Sequence, residues 1–126
     1  MTTETSEEKT FDYSKYQIST SAEEKILTIE ETQETFTLRI RPMSWSRRNQ
    51  LMSKHMNWQG DEKTGFDGDG FVRAYLRDII VEAPWGRTTE SFLLSIDARL
   101  GAALETLVPN TQRAVGEASE EIKKDV

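Results

Sequence analysis

The sequence predicts an α+β fold, an N-terminal β-hairpin packed on about three α-helices with mobile tails at both ends. Three observations carry that reading. Residues 25–30 (KILTIE) and 35–41 (TFTLRIR) place apolar and polar side chains in the alternation of half-buried strands. Three later segments repeat apolar residues at helical spacing. The strands come first and the helices follow, which is an α+β order and not the strand–helix alternation of a parallel sheet.

In the second strand Phe36, Leu38 and Ile40 share one face, with Thr35, Thr37, Arg39 and Arg41 on the other. The four residues between the strands, Glu31, Thr32, Gln33 and Glu34, make a hairpin connection without an Asn-Gly pair. Pro42 stops the second strand because it has no N–H to give the ladder. A two-stranded ribbon is marginal alone, so its apolar face needs a helical layer.

Ser44 reads as the N-cap of a first helix running to about Trp58, with Trp45, Met52 and Met56 on one face and Leu51 beside it. Residues 60–70, GDEKTGFDGDG, read as a turn-rich break. Asp69 would cap a second helix in which Val72, Tyr75, Leu76, Ile79 and Ile80 form the apolar stripe, ended by Pro84-Trp85-Gly86. Thr88 or Thr89 would cap a third helical stretch carrying Leu93, Ile96, Leu100, Ala103, Leu104 and Leu107, with a break expected near 95–97 and an end at Pro109-Asn110.

The domain boundaries follow from charge and apolar content. The chain has 126 residues and a net charge of −6. Residues 1–25 contribute −3 and residues 109–126 contribute −1, so the middle is nearly balanced. Both ends are poor in residues able to offset about 1–2 kcal/mol of ordering entropy per residue. We therefore expect a mobile acidic N-terminal arm over 1–23, one small domain over 24–108 and a mobile charged tail over 109–126. Phe11, Tyr13 and Tyr16 stand out in the arm, as a docking segment or as an aromatic strap on the chain's own domain.

Composition removes several function classes. With no cysteine there is no disulfide, thiolate metal site or cysteine nucleophile. One histidine, His55, leaves no two-histidine zinc site, and beside Met52, Met56 and Trp58 it reads as structural or surface-exposed. The acidic loop at 61–70 fails as a calcium loop on spacing, since Val72 falls where the sharp-turn glycine or the bidentate glutamate is needed. No phosphate-binding glycine loop is present. No apolar run nears the ~18 residues of a membrane span, and the N-terminus lacks the pattern of a signal peptide. Neither catalytic residues nor a cofactor are expected.

One charge pattern remains. From Thr35 to Gly60 there is no acid, while Arg39, Arg41, Arg47, Arg48 and Lys54 are basic and Trp45 and Trp58 are interleaved. Such a stretch fits a nucleic-acid backbone, a partner with an acidic surface, or plain pairing with Glu30, Glu34, Asp61 and Glu62. The sequence pI of about 4.9 weighs against nucleic acid.

The order of an alternating strand ending in Pro42, then Ser44-Trp45, a polar helix, an acidic glycine loop, IIVEAP at 79–84 and a leucine-rich close resembles the tail assembly chaperones of long-tailed bacteriophages and of similar archaeal viruses. The resemblance covers about residues 24–108. It implies a non-enzymatic protein of the host cytoplasm that binds the tape-measure protein, recruits tail-tube subunits and is absent from the mature virion. No catalytic residues are carried over from the family. Self-association stays open.

A chaperone of a long helix needs adaptable apolar surface on a polar body, and Met43, Met52 and Met56 with Trp45 and Trp58 would supply it. Arg47 and Arg48 flank that face. Trp85 is either a further anchor or a plug at the edge of its own core. The partner-binding candidates are therefore Trp45, Met52, Met56, Trp58, Trp85, Arg47 and Arg48. Two other classes are a structural tail or neck component and a small acidic adaptor of a host protein.

Overall fold

A computed structural model describes residues 9–109. Of the tails expected over 1–23 and 109–126, residues 1–8 and 110–126 lie outside the described residues. The fold is α+β, with a β-hairpin, a third strand added to it, a second small hairpin and four α-helices.

Strands β1 (Glu23–Ile29) and β2 (Glu34–Ile40) pair antiparallel, with Ile26 opposite Thr37 and Leu27 opposite Phe36. Leu38 is fully buried, and Leu27, Phe36 and Ile40 pack against the same core, as the alternation predicts. The connecting loop places Gln33 at φ +63°, in the left-handed region that suits glycine. Two hydrogen bonds hold it there. Gln33 N–H donates to Ile29 O at 2.7 Å, and Nε2 donates to Glu30 O at 2.6 Å.

Helix α1 (Trp45–Lys54) starts where expected, with Ser44 Oγ accepting from Arg47 N–H at 3.1 Å. It ends earlier than expected. His55 caps it, donating its backbone N–H to Leu51 O and Met52 O, and its ring Nδ1 sits 2.6 Å from Leu51 O. The chain then forms β3 (Met56–Gln59) and β4 (Glu62–Phe66), a second antiparallel hairpin. Met56 and Trp58 are thus strand residues, not a continuation of the helix, and residues 62–66 of the expected turn-rich break are strand. Gly60, at φ +65°, and Asp61 make the two-residue turn. Gly-Asp between two short runs is a recognised hairpin signal, and it is the one the helical reading passed over.

Helix α2 (Gly68–Ile79) is capped by Asp67, not Asp69, through a 2.9 Å bond from Gly70 N–H to Oδ1. Its inward face carries Phe71, Ala74, Tyr75, Leu76 and Ile79, all buried. Asp69 instead pairs with Arg73 one turn on. The helix was expected to continue to Pro84, but it gives way to strand β5 (Ile80–Glu82). Isoleucine and valine favour the extended state once β2 offers a ladder. Ile80 pairs with Ile40 and Glu82 with Arg39, with an irregularity at that step, and Arg41 N–H donates to Ile79 O at 2.9 Å. The sheet order is β1-β2-β5, so β2 is central and Arg39 lies between Glu24 and Glu82 across the strands.

The leucine-rich segment breaks where the sequence suggested. Helix α3 (Glu90–Ser95) is capped by Thr89 and helix α4 (Ala98–Glu105) by Asp97. Among the described residues four α-helices therefore stand where about three were expected. Leu51 of α1, Leu93 of α3, Leu104 of α4 and Leu38 of β2 meet the face of α2 in one core, with Phe71, Leu38 and Leu104 its most enclosed side chains. Among the described residues no helix is long and apolar enough to cross a membrane.

Candidate partner-binding surface

The seven candidate residues divide into two groups by packing. Trp45 occupies the first helical position after the Ser44 cap, a place where the side chain has no earlier turn to lie on, and it is 78% exposed. Trp58, on β3 opposite Lys63, is 51% exposed. These two present aromatic surface to solvent. They sit on different elements and make no ring contact with each other.

The methionines face inward to different degrees. Met52 packs against the core from α1. Met56 is half-buried opposite Phe66, whose ring lies 5.6 Å from that of Phe71. Because α1 stops at Lys54, Met56 does not share a helical face with Trp45 and Met52. The single tryptophan–methionine face expected from helical periodicity is not formed.

Trp85 belongs to the core edge. Its ring stacks on Phe92 at 4.7 Å, tilts against Phe36 at 5.8 Å, and its Nε1–H donates to Thr88 Oγ1 at 2.9 Å. These contacts make Trp85 a plug at the edge of its own core. A half-buried indole with its N–H satisfied in this way supports its own fold.

The two arginines point toward α2. Arg47 Nε lies 3.3 Å from Asp78 Oδ1, and its Nη1 donates to Gln50 Oε1 at 3.5 Å. Arg41 reaches the same residue, its Nε donating to the Asp78 backbone carbonyl at 3.2 Å. Burial pushes the Tyr75 hydroxyl above the ordinary phenol range; the positive charge of Arg48 opposes that shift and Asp78 adds to it. Asp78, which the sequence reading did not single out, is therefore the acid around which these bases gather. Glu30, Glu34, Asp61 and Glu62 do not form ion pairs with Arg47. A further ion pair fastens α2 to α3, with Arg73 Nε donating to Glu90 Oε1 at 2.9 Å.

Arg47, Lys54, His55 and Arg77 border a cleft of 370 Å³ between α1 and α2, with Asp78 on the same wall. Arg77 lies 3.9 Å from Glu90. His55 takes the structural role expected of it: its ring meets Phe71 edge-on at 6.3 Å, and its backbone oxygen accepts from Asp67 N–H at 2.7 Å. Among the described residues no group of three or more Asp, Glu, His or Cys is placed to hold a metal ion.

Apolar side chains missed by the sequence reading are also exposed. Ile26 on β1, Val81 on β5 and Leu94 on α3 all reach solvent. In the arm, Asp12 caps a single 3₁₀ turn (Tyr13–Tyr16) by accepting from Ser14 N–H at 3.1 Å. Phe11 stacks on Tyr16 at 5.8 Å, and both stay more than two-thirds exposed, so this aromatic cluster is not strapped down on the domain. Comparison with protein families, with curated proteins and with solved structures finds no match for this chain.

Proposed function

We propose that this chain is a non-enzymatic binding protein that serves as a tail assembly chaperone of a long-tailed virus, holding a tape-measure protein and helping to recruit tail-tube subunits. The observation that carries the reading is Trp45, a large aromatic side chain left 78% exposed at the start of α1 while the core closes without it. A tryptophan ring in water forgoes the burial worth about 1.5–3 kcal/mol for a large apolar side chain, which a partner surface would recover. Tryptophan and arginine side chains are also the types that anchor protein interfaces. Trp58, Phe11 and Tyr16 extend the same chemistry, and a net charge of −6 favours keeping such a protein in solution.

In this role the protein acts in the host cytoplasm and leaves before the particle is finished. The test is co-expression with a long helical tape-measure protein, followed by a solubility assay and pull-down. A long protein that becomes soluble only with this chain supports the role. A long protein indifferent to it, or mass spectrometry that finds the chain in purified particles, contradicts the role.

A further inference from the structure

We infer that the groove between the open edge of β1 and helix α4 accepts an extended, basic peptide segment as a fourth strand of the sheet. Among the described residues β1 is an outer strand that pairs only with β2. Its other edge borders a groove of 580 Å³ whose far wall is α4. Ile26, Leu27 and Thr28 all line that groove. Successive strand residues point to opposite faces, so a space touched by all three lies along the backbone edge and not over one face. The unpaired N–H and C=O groups of that edge are the natural partners of another strand.

The helical wall fits the same occupant. Ala98, Ala102, Ala103 and Thr106 present short side chains, so a second backbone can approach without displacing anything. Ile26, 66% exposed beside the edge, offers an apolar contact for one face of the incoming strand. A helix has already satisfied its own backbone and cannot use a strand edge, whereas an extended segment gains hydrogen bonds from it.

Charge selects the side chains. Glu30 and Glu31 line the groove, and Glu23 and Glu24 stand exposed on the same strand. The base at the groove, Arg99, is held 2.7 Å from Asp97. An incoming strand carrying lysine or arginine meets this rim favourably. The same charge disfavours a second copy, since pairing β1 with β1 would bring together the glutamates of both chains with only Lys25 on each strand to offset them. The site shares no residue with Trp45 or Trp58 and stands independently of the chaperone reading.

The test titrates the full isotope-labelled chain with a capped seven-residue peptide, the length of β1, in which lysine and arginine alternate with valine and threonine. Saturable amide shifts confined to 26–31 and 98–106 are expected. Ala102→Arg, at an exposed position, should fill the groove and weaken binding about tenfold or more with the circular dichroism unchanged. Glu30→Lys with Glu31→Lys should weaken it by about the same factor. The same peptide N-methylated at alternate residues should not bind, because its ladder donors are gone. Shifts elsewhere, indifference to Ala102→Arg or to N-methylation, no saturable binding, or concentration-dependent dimerisation through β1 would each overturn the proposal.

Discussion

The Arg47 guanidinium lies 3.3 Å from the Asp78 carboxylate, tying the first half of α1 to the last turn of α2. Arg41 donates to the backbone carbonyl of the same aspartate, so strand β2, through its exit, is fastened there as well. Asp78→Asn removes the ion pair and keeps the carbonyl contact. Both side chains are partly exposed, so screening limits the loss to about 0.5–1 kcal/mol. Denaturant unfolding at low and high salt checks it: the difference from the native chain should shrink as salt rises.

Gly70 sits where a side chain has no room. A Cβ there would overlap the Asp67 carboxylate that caps α2 and stand 3.0 Å from His55 Cδ2. Alanine for glycine within a helix ordinarily gains up to about 1 kcal/mol. Here the displaced cap, worth about 1 kcal/mol, and the crowded histidine ring reverse the sign, so Gly70→Ala should lower stability by about 1 kcal/mol. On an Asp67→Ala background, with the carboxylate gone, much of that cost should vanish. A double-mutant cycle by thermal unfolding separates the two contributions.

Gln33 holds a left-handed backbone in the first hairpin loop. A β-branched side chain fits that conformation badly, so Gln33→Val should cost about 1–2 kcal/mol. Gln33→Gly relieves the conformation and loses the side-chain bond to Glu30 O, so it should fall close to the native value. Equal losses for the two variants would contradict this account of the turn.

The α4 cap is sensitive to acid. Hydrogen bonding from the Arg99 side chain, and then from the Leu100 backbone N–H, holds the Asp97 carboxyl below its ordinary range. A folded pKa below the unfolded one contributes stability above the unfolded value, and that contribution disappears as pH falls through the folded one. Amide resonances of Arg99 and Leu100 should therefore shift and broaden only below the usual carboxylate range. Asp97→Asn should abolish that pH dependence.

Much of the architecture is legible in the sequence because it rests on periodicity and punctuation. Alternation placed β1 and β2, Ser44 placed the start of α1, and the weak point at 95–97 placed the break between α3 and α4. The errors share a cause. Residues 56–59 continue a helical pattern when read alone, and only pairing across Gly60-Asp61 makes them a strand. Ile80 and Val81 fit the stripe of α2, yet the open edge of β2 draws them into the sheet. Long-range pairing decided both against local periodicity. The binding candidates suffered in the same way, since a face drawn on one long helix dissolved when α1 ended at His55. Asp78 was invisible because its role comes from three elements meeting.

The central claim is that Trp45 faces solvent to engage a partner while Trp85 supports the fold. The most direct measurement pairs Trp45→Ala and Trp85→Ala, following unfolding free energy and pull-down of a co-expressed tape-measure protein for each. Trp45→Ala should leave stability within about 0.5 kcal/mol of the native chain and reduce partner recovery strongly. Trp85→Ala should cost about 1–3 kcal/mol in stability. Full partner recovery with Trp45→Ala, or a large stability loss on removing that exposed ring, would contradict the account.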